Sequence, residues 1–145
     1  MKPAPDILMV DDNPADIALV CEALAGSKHC SRINSVCDGV EAMAFLNHRE
    51  SYANAVRPDL VILDLNLPKK DGLAILAAMK AAPDLRQIPV VIFSTSELRK
   101  DILRSYEMGA NCYVRKPGNL NDFFSAVKSI EQFWFGFAVL PPRGE

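Results

Sequence analysis

The chain has 145 residues, 50% of them hydrophobic and 23% charged, the balance of one globular domain that buries its own core and not of a disordered segment. Sixteen basic against eighteen acidic residues leave a formal charge of −2, which offers no electrostatic footprint for nucleic acid. No apolar run approaches the roughly 20 residues of a membrane span, and Met1-Lys2-Pro3-Ala4-Pro5 has no secretory pattern.

In chain order, residues 7–10 form a continuous apolar run of strand length. Asn13 is placed to cap a first helix, with Pro14 at its first position and Gly26 at its end. Ile17, Val20, Cys21 and Leu24 share one face of that helix. Residues 32–37 are mixed in polarity and suit a less buried strand. Asp38 and Glu41 have capping-box spacing before a second helix carrying Val40, Met43 and Ala44. Residues 60–63 are apolar throughout. A third helix runs from Gly72 to Ala82 and stops at Pro83. Another apolar run spans 90–93, and a fourth helix runs from about Ser96 to Gly109. Residues 112–114 make a mixed edge strand. After Asn119 a fifth helix turns Leu120, Phe123, Phe124, Val127 and Ile130 toward the sheet.

Apolar strands buried on both faces, alternating with amphipathic helices, specify an α/β, doubly wound, five-stranded parallel sheet with five helices. Cys21, Cys30, Cys37 and Cys112 lack zinc-ligand spacing and read as reduced thiols, mostly core filler, in a soluble cytoplasmic domain.

Ligands of such sheets sit at the carboxyl ends of the strands. Here the first strand ends in Asp11-Asp12, the third at Asp64, the fourth at Ser94-Thr95, and the fifth runs into Lys116-Pro117. Three converging carboxylates repel one another unless a cation sits among them. Hard oxygen ligands with few fixed protein contacts favour Mg²⁺. Lys116 suits an anion arriving on Asp64, and Ser94 can donate to that anion. The parts describe phosphoryl transfer onto a carboxylate. Taken singly, each residue has a plainer role, as helix cap, turn residue or solvated lysine. Their joint placement on four strand ends is what carries the reading.

The set Asp11-Asp12, Asp64, Ser94 and Lys116-Pro117 resembles the receiver domain of two-component response regulators, over nearly the whole chain. The resemblance implies the flavodoxin-like strand order 2-1-3-4-5 and phosphorylation at Asp64 by a sensor histidine kinase. It implies Mg²⁺ held by Asp12, Asp64 and the carbonyl of Asn66, with Asp11 assisting. It makes Lys116 the partner of the phosphoryl group, Ser94 the switch hydroxyl and Tyr113 the aromatic that changes rotamer. It also implies a cis Lys116–Pro117 bond. Ser94 stands for the commoner threonine, and Thr95 stands where many receivers carry Ala or Gly, which narrows access to the phosphoryl site. Such a protein is a phosphoacceptor switch whose only catalysis is its own phosphorylation and dephosphorylation.

Residues 1–132 are then the receiver and 133–145 a C-terminal extension, with no output domain expected after it. The output is a protein–protein interaction, without nucleic acid or membrane. The connection 47–58, the segment 64–72 and the ending Phe133-Trp134…Leu140-Pro141 look like the small regulators paired with bacterial phytochrome histidine kinases. The alternative is a chemotaxis-type or phosphorelay shuttle receiver. A haloacid-dehalogenase-type phosphatase needs a second acid where Asn66 stands, and Asp11-Asp12 would repel the phosphate of a flavin nucleotide. Ala126, Ile130, Phe133 and Phe137 make a second apolar line on the last helix, and Trp134 and Phe135 add aromatic area. This surface reads as a homodimer interface, the other possibility being a tail folded back on its own domain.

Overall fold

The apolar runs become strands and the amphipathic segments become the helices between them. The computed structural model describes residues 4–142. Its strands are β1 (Asp6–Val10), β2 (Arg32–Val36), β3 (Leu60–Leu63), β4 (Val90–Ser94) and β5 (Cys112–Arg115). They alternate with helices α1 (Pro14–Leu24), α2 (Gly39–Leu46), α3 (Gly72–Ala81), α4 (Arg99–Glu107) and α5 (Leu120–Glu131). A π-helical turn, Gln132–Phe137, prolongs α5. The sheet is parallel throughout in the order β2-β1-β3-β4-β5, the flavodoxin-like arrangement.

Alternation along the strands divides the core into two layers. Leu8, Val10, Val61, Leu63, Val90 and Ile92 face α2 and α3, meeting Ala42, Phe45, Leu46, Ile75, Leu76 and Met79. Ile7, Met9, Leu60, Ile62, Val91 and Phe93 face α1 and α5, meeting Val20, Ala23, Leu24, Phe123, Val127 and Ile130. The three central strands are buried along their whole length, while β2 and β5 at the edges are mixed, as their composition predicts. Register brings the carboxyl ends level. Val10 lies opposite both Val36 and Leu63, Leu63 opposite Ile92, and Ser94 opposite Arg115.

Helix starts follow their caps. Asn13 Oδ1 accepts from the N–H groups of Ala15 and Asp16, Asp38 from Glu41, Asp71 from Ala74, and Asn119 from Asp122. The Asp38 cap holds, but Glu41 does not close the box; its carboxylate accepts from the Tyr52 hydroxyl instead. Gly26, at φ +74°, follows the end of α1 in the left-handed region.

Several inward assignments are corrected by the packing. Cys21 is exposed and Ala23 takes its place in the core. Helix α2 buries Gly39, Ala42, Phe45 and Leu46 and leaves Val40 exposed. Leu120 is exposed at the start of α5. Cys30 and Cys37 are exposed too, so most of the cysteines are not core filler; half-buried Cys112 packs against the layer that faces α1 and α5. Helix α4 starts at Arg99 and not near Ser96, whose hydroxyl is engaged by Asp101 and by the N–H of Leu98. Among the described residues, no helix is long and apolar enough to cross a membrane.

Candidate functional site

The site lies along the level carboxyl ends of β1, β3, β4 and β5. Asp11 follows β1 directly. Its N–H bonds to the carbonyl of Val36, and its Oδ1 accepts from the N–H of Asn13 at 2.9 Å. Asp64 follows β3, its N–H held by the Val10 carbonyl at 2.9 Å. Asp64 Oδ1 accepts from the N–H of Leu65 at 2.7 Å, which leaves Oδ2 turned the other way. Lys116 follows β5, with its N–H on the Ser94 carbonyl at 2.8 Å.

These backbone ties aim three strand-end side chains at one point. Lys116 Nζ donates to Asp11 Oδ2 at 2.7 Å and to Asp64 Oδ2 at 3.0 Å. It also donates to Asp16 Oδ2 at 2.8 Å, a partner that strand-end reasoning misses because Asp16 sits inside the first turn of α1. The lysine side chain is only 5% exposed and lies 5.9 Å from the centre of the Phe93 ring. Burial opposes its charge, yet the hydrogen bonds it donates to three carboxylates outweigh burial and hold its pKa above the ordinary lysine value. Burial pushes the Asp11 carboxyl up, against its bonds from Lys116 and the Asn13 N–H.

Carboxylate oxygens of Asp11, Asp12 and Asp64 lie within 4.8 Å of one another, with Asp12 exposed and the other two buried. Asp11, Asp16 and Asp64 share the one Lys116 ammonium, and Asp12 adds a further carboxylate beside Asp11 and Asp64, so carboxylates outnumber the cation here. An all-oxygen, anionic donor set beside an open rim fits a hard divalent cation that keeps part of its water.

The remaining expected residues are placed as follows. Ser94 is fully buried at the end of β4, and its Oγ accepts from the N–H of Ser96 at 3.2 Å. Thr95 is exposed beside it. Asn66 is exposed in the loop after Asp64, its N–H 3.4 Å from Asp64 Oδ1. The Tyr113 hydroxyl donates to the Ser96 carbonyl at 2.9 Å, tying β5 to the loop that follows Ser94. The Lys116–Pro117 bond is trans, because no cis peptide occurs among the described residues. Trans is the form that X–Pro bonds favour by about 0.5–1 kcal/mol.

At the far end of the chain the aromatic residues divide. Ile130 belongs to the core, and Trp134 and Phe135 pack partly against it. Phe133 and Phe137 stay 53% and 73% exposed.

Known proteins share both sequence and geometry. The family description "Response regulator receiver domain" matches residues 7–128. Response regulator Rcp1 of Synechocystis sp. is 47% identical over 140 residues, spanning 97% of this chain and 95% of its own. The crystal structure of the phosphorylated cyanobacterial phytochrome response regulator RcpA superposes with a TM-score of 0.94 at 51% identity, covering 97% of this chain and all of that one. The Mn²⁺-bound form of Rcp1 superposes with a TM-score of 0.91 at 46% identity, covering 95% and 99%. With its strand-end carboxylates and lysine in place, the chain belongs to the response regulator receiver family, the phosphorylation-dependent switches of two-component signalling.

Proposed function

We propose that Asp64 accepts a phosphoryl group from a sensor histidine kinase of the phytochrome type, with Mg²⁺ bound beside it, and that this switches a protein–protein interaction. The observation that carries the reading is the Lys116 ammonium on Asp64 Oδ2, set against the Asp11–Asp12–Asp64 cluster. Asp64 Oδ2 forms the new P–O bond as the P–N bond of a phosphohistidine breaks, and the imidazole leaves with the electron pair. Charge moves onto the phosphoryl oxygens during this step, and catalysis is mostly positioning and electrostatics. Lys116 neutralises one of those oxygens, and the fixed N–H of Leu65 holds the other Asp64 oxygen in line. Asp12, Asp64 and the Asn66 carbonyl, with Asp11 assisting, would hold Mg²⁺, which neutralises charge on the phosphoryl oxygens when bound.

Ser94 and Tyr113 form the switch. A Ser94 hydroxyl that turns to donate to the phosphoryl group gives up the Ser96 N–H, and Tyr113 is tied to the carbonyl of that same Ser96. Thr95 borders the entry. The phytochrome-type partner is supported by RcpA, a phytochrome response regulator that is 51% identical and matches 97% of this chain. The exposed faces of Phe133 and Phe137 support a homodimer built on α5 and the segment after it. Phosphotransfer from a panel of purified, phosphorylated sensor kinases tests the partner. A phytochrome-type kinase is expected to label the chain fastest, and equal or faster labelling by unrelated kinases would contradict it.

A further inference from the structure

Asp16 is a third carboxylate on Lys116, and it differs from the other two in what else it is asked to do. Lys116 has three ammonium hydrogens and spends them on Asp11, Asp16 and Asp64, at 2.7, 2.8 and 3.0 Å. Asp64 Oδ2 ceases to be a carboxylate acceptor once it carries a phosphoryl group. Asp11 belongs to the carboxylate cluster that suits a divalent ion; Asp16 does not. Asp16 is also held from a rigid place. It is the third residue of α1, its N–H is capped by Asn13 Oδ1 at 3.2 Å, and Pro14 fixes the helix start. Its side chain is 19% exposed against 5% for Lys116, so water screens the pair only partly.

From this we infer that Asp16 is a positioning residue, which keeps Lys116 aimed at the phosphoryl site while Asp11 and Asp64 change partners. A lysine has four rotatable bonds and costs appreciable entropy to immobilise. With both other acceptors engaged elsewhere, the Asp16 carboxylate is what stops the ammonium from turning away. A charge-assisted hydrogen bond of this kind is about twice as strong as a neutral one. The inference rests on the phosphorylation of Asp64, and its test separates the two.

Phosphorylation by a small phosphodonor is measured for wild type, D16A, D16N, K116A and the double variant D16A/K116A, across a Mg²⁺ titration. D16A is expected to lower the maximal rate roughly tenfold, the scale of one charge-assisted bond, with the half-saturating Mg²⁺ unchanged. D16N, whose amide oxygen still accepts, recovers part of the loss. In the K116A background D16A adds nothing further. Independently of activity, the Lys116 ammonium NMR signal in Mg²⁺-loaded protein is expected to be protected from exchange in wild type and exposed in D16A. A normal wild type with an unaffected D16A, or equal effects of D16A with and without Lys116, would overturn the role of Asp16 alone. A wild type that takes up no phosphoryl group would overturn the Asp64 reading beneath it.

Discussion

A methyl group on Gly72 would lie 2.3 Å from the Asp64 carbonyl oxygen and 2.7 Å from Leu65 Cα, both backbone atoms that cannot swing aside. The Gly72 N–H bonds to the Leu65 carbonyl at 2.9 Å, so the start of α3 is pressed against the segment that carries the phosphoacceptor. Gly72→Ala is therefore expected to destabilise the fold by about 1–3 kcal/mol, the range of overpacked sites, and to slow Asp64 phosphorylation. Urea unfolding checks the first effect, and an unchanged midpoint would contradict the close approach. The same scale shows what sequence can and cannot reveal. Asp11, Asp64 and Lys116 are legible because each directly follows a strand, with Asp12 one residue further on, and the fold must align strand ends. Asp16 is not, since an acidic residue in a helix's first turn already has a local reason to be there. Gly72 reads only as a helix start; its crowding depends on a loop folded against it.

Asp38 shows an element held by one residue. Its Oδ1 accepts from the N–H of Glu41 at 2.8 Å and its Oδ2 lies 3.5 Å from Lys69 Nζ. The Glu41 N–H first, then the nearby Lys69, outweigh partial burial and hold the Asp38 carboxyl below its ordinary range. A carboxyl with a lowered folded-state pKa stabilises the fold above its unfolded value near 3.9, and that stabilisation is lost as the pH falls through the lower folded value. Asp38→Ala is thus expected to cost about 1 kcal/mol at neutral pH, with the gap to wild type closing below about pH 4. Thermal unfolding at both pH values checks it; a gap that persists unchanged in acid would point to packing, not the cap. Caps and strands were readable because their signals are local. The faces of α1 and α2 were not fully so. Periodicity admitted Cys21 on the inner face of α1, yet Ala23 is buried there instead, and α2 buries Ala42 and Phe45 rather than Val40. The rotation of α5 is the same case, since Ile130 fits either apolar line and the sheet takes it.

At the scale of the molecule, parallel pairing in the order β2-β1-β3-β4-β5 puts β1 and β3 side by side, and with them Asp11 and Asp64. The other end of the sequence leaves aromatic surface that the core does not use. Phe133 and Phe137 remain exposed while Trp134 and Phe135 pack inward, so the segment after α5 is partly folded back and partly open. Sedimentation equilibrium is expected to find a dimer at micromolar concentration that dissociates on Phe133→Glu/Phe137→Glu; a wild-type monomer would end that proposal. The central claim is that Asp64 is the phosphoacceptor of a metal-assisted site. Intact-mass spectrometry after treatment with a small phosphodonor tests it most directly. One added phosphoryl group is expected in wild type with Mg²⁺, and none in Asp64→Asn or in wild type with a chelator. Equal labelling of Asp64→Asn, or labelling indifferent to the chelator, would contradict the account.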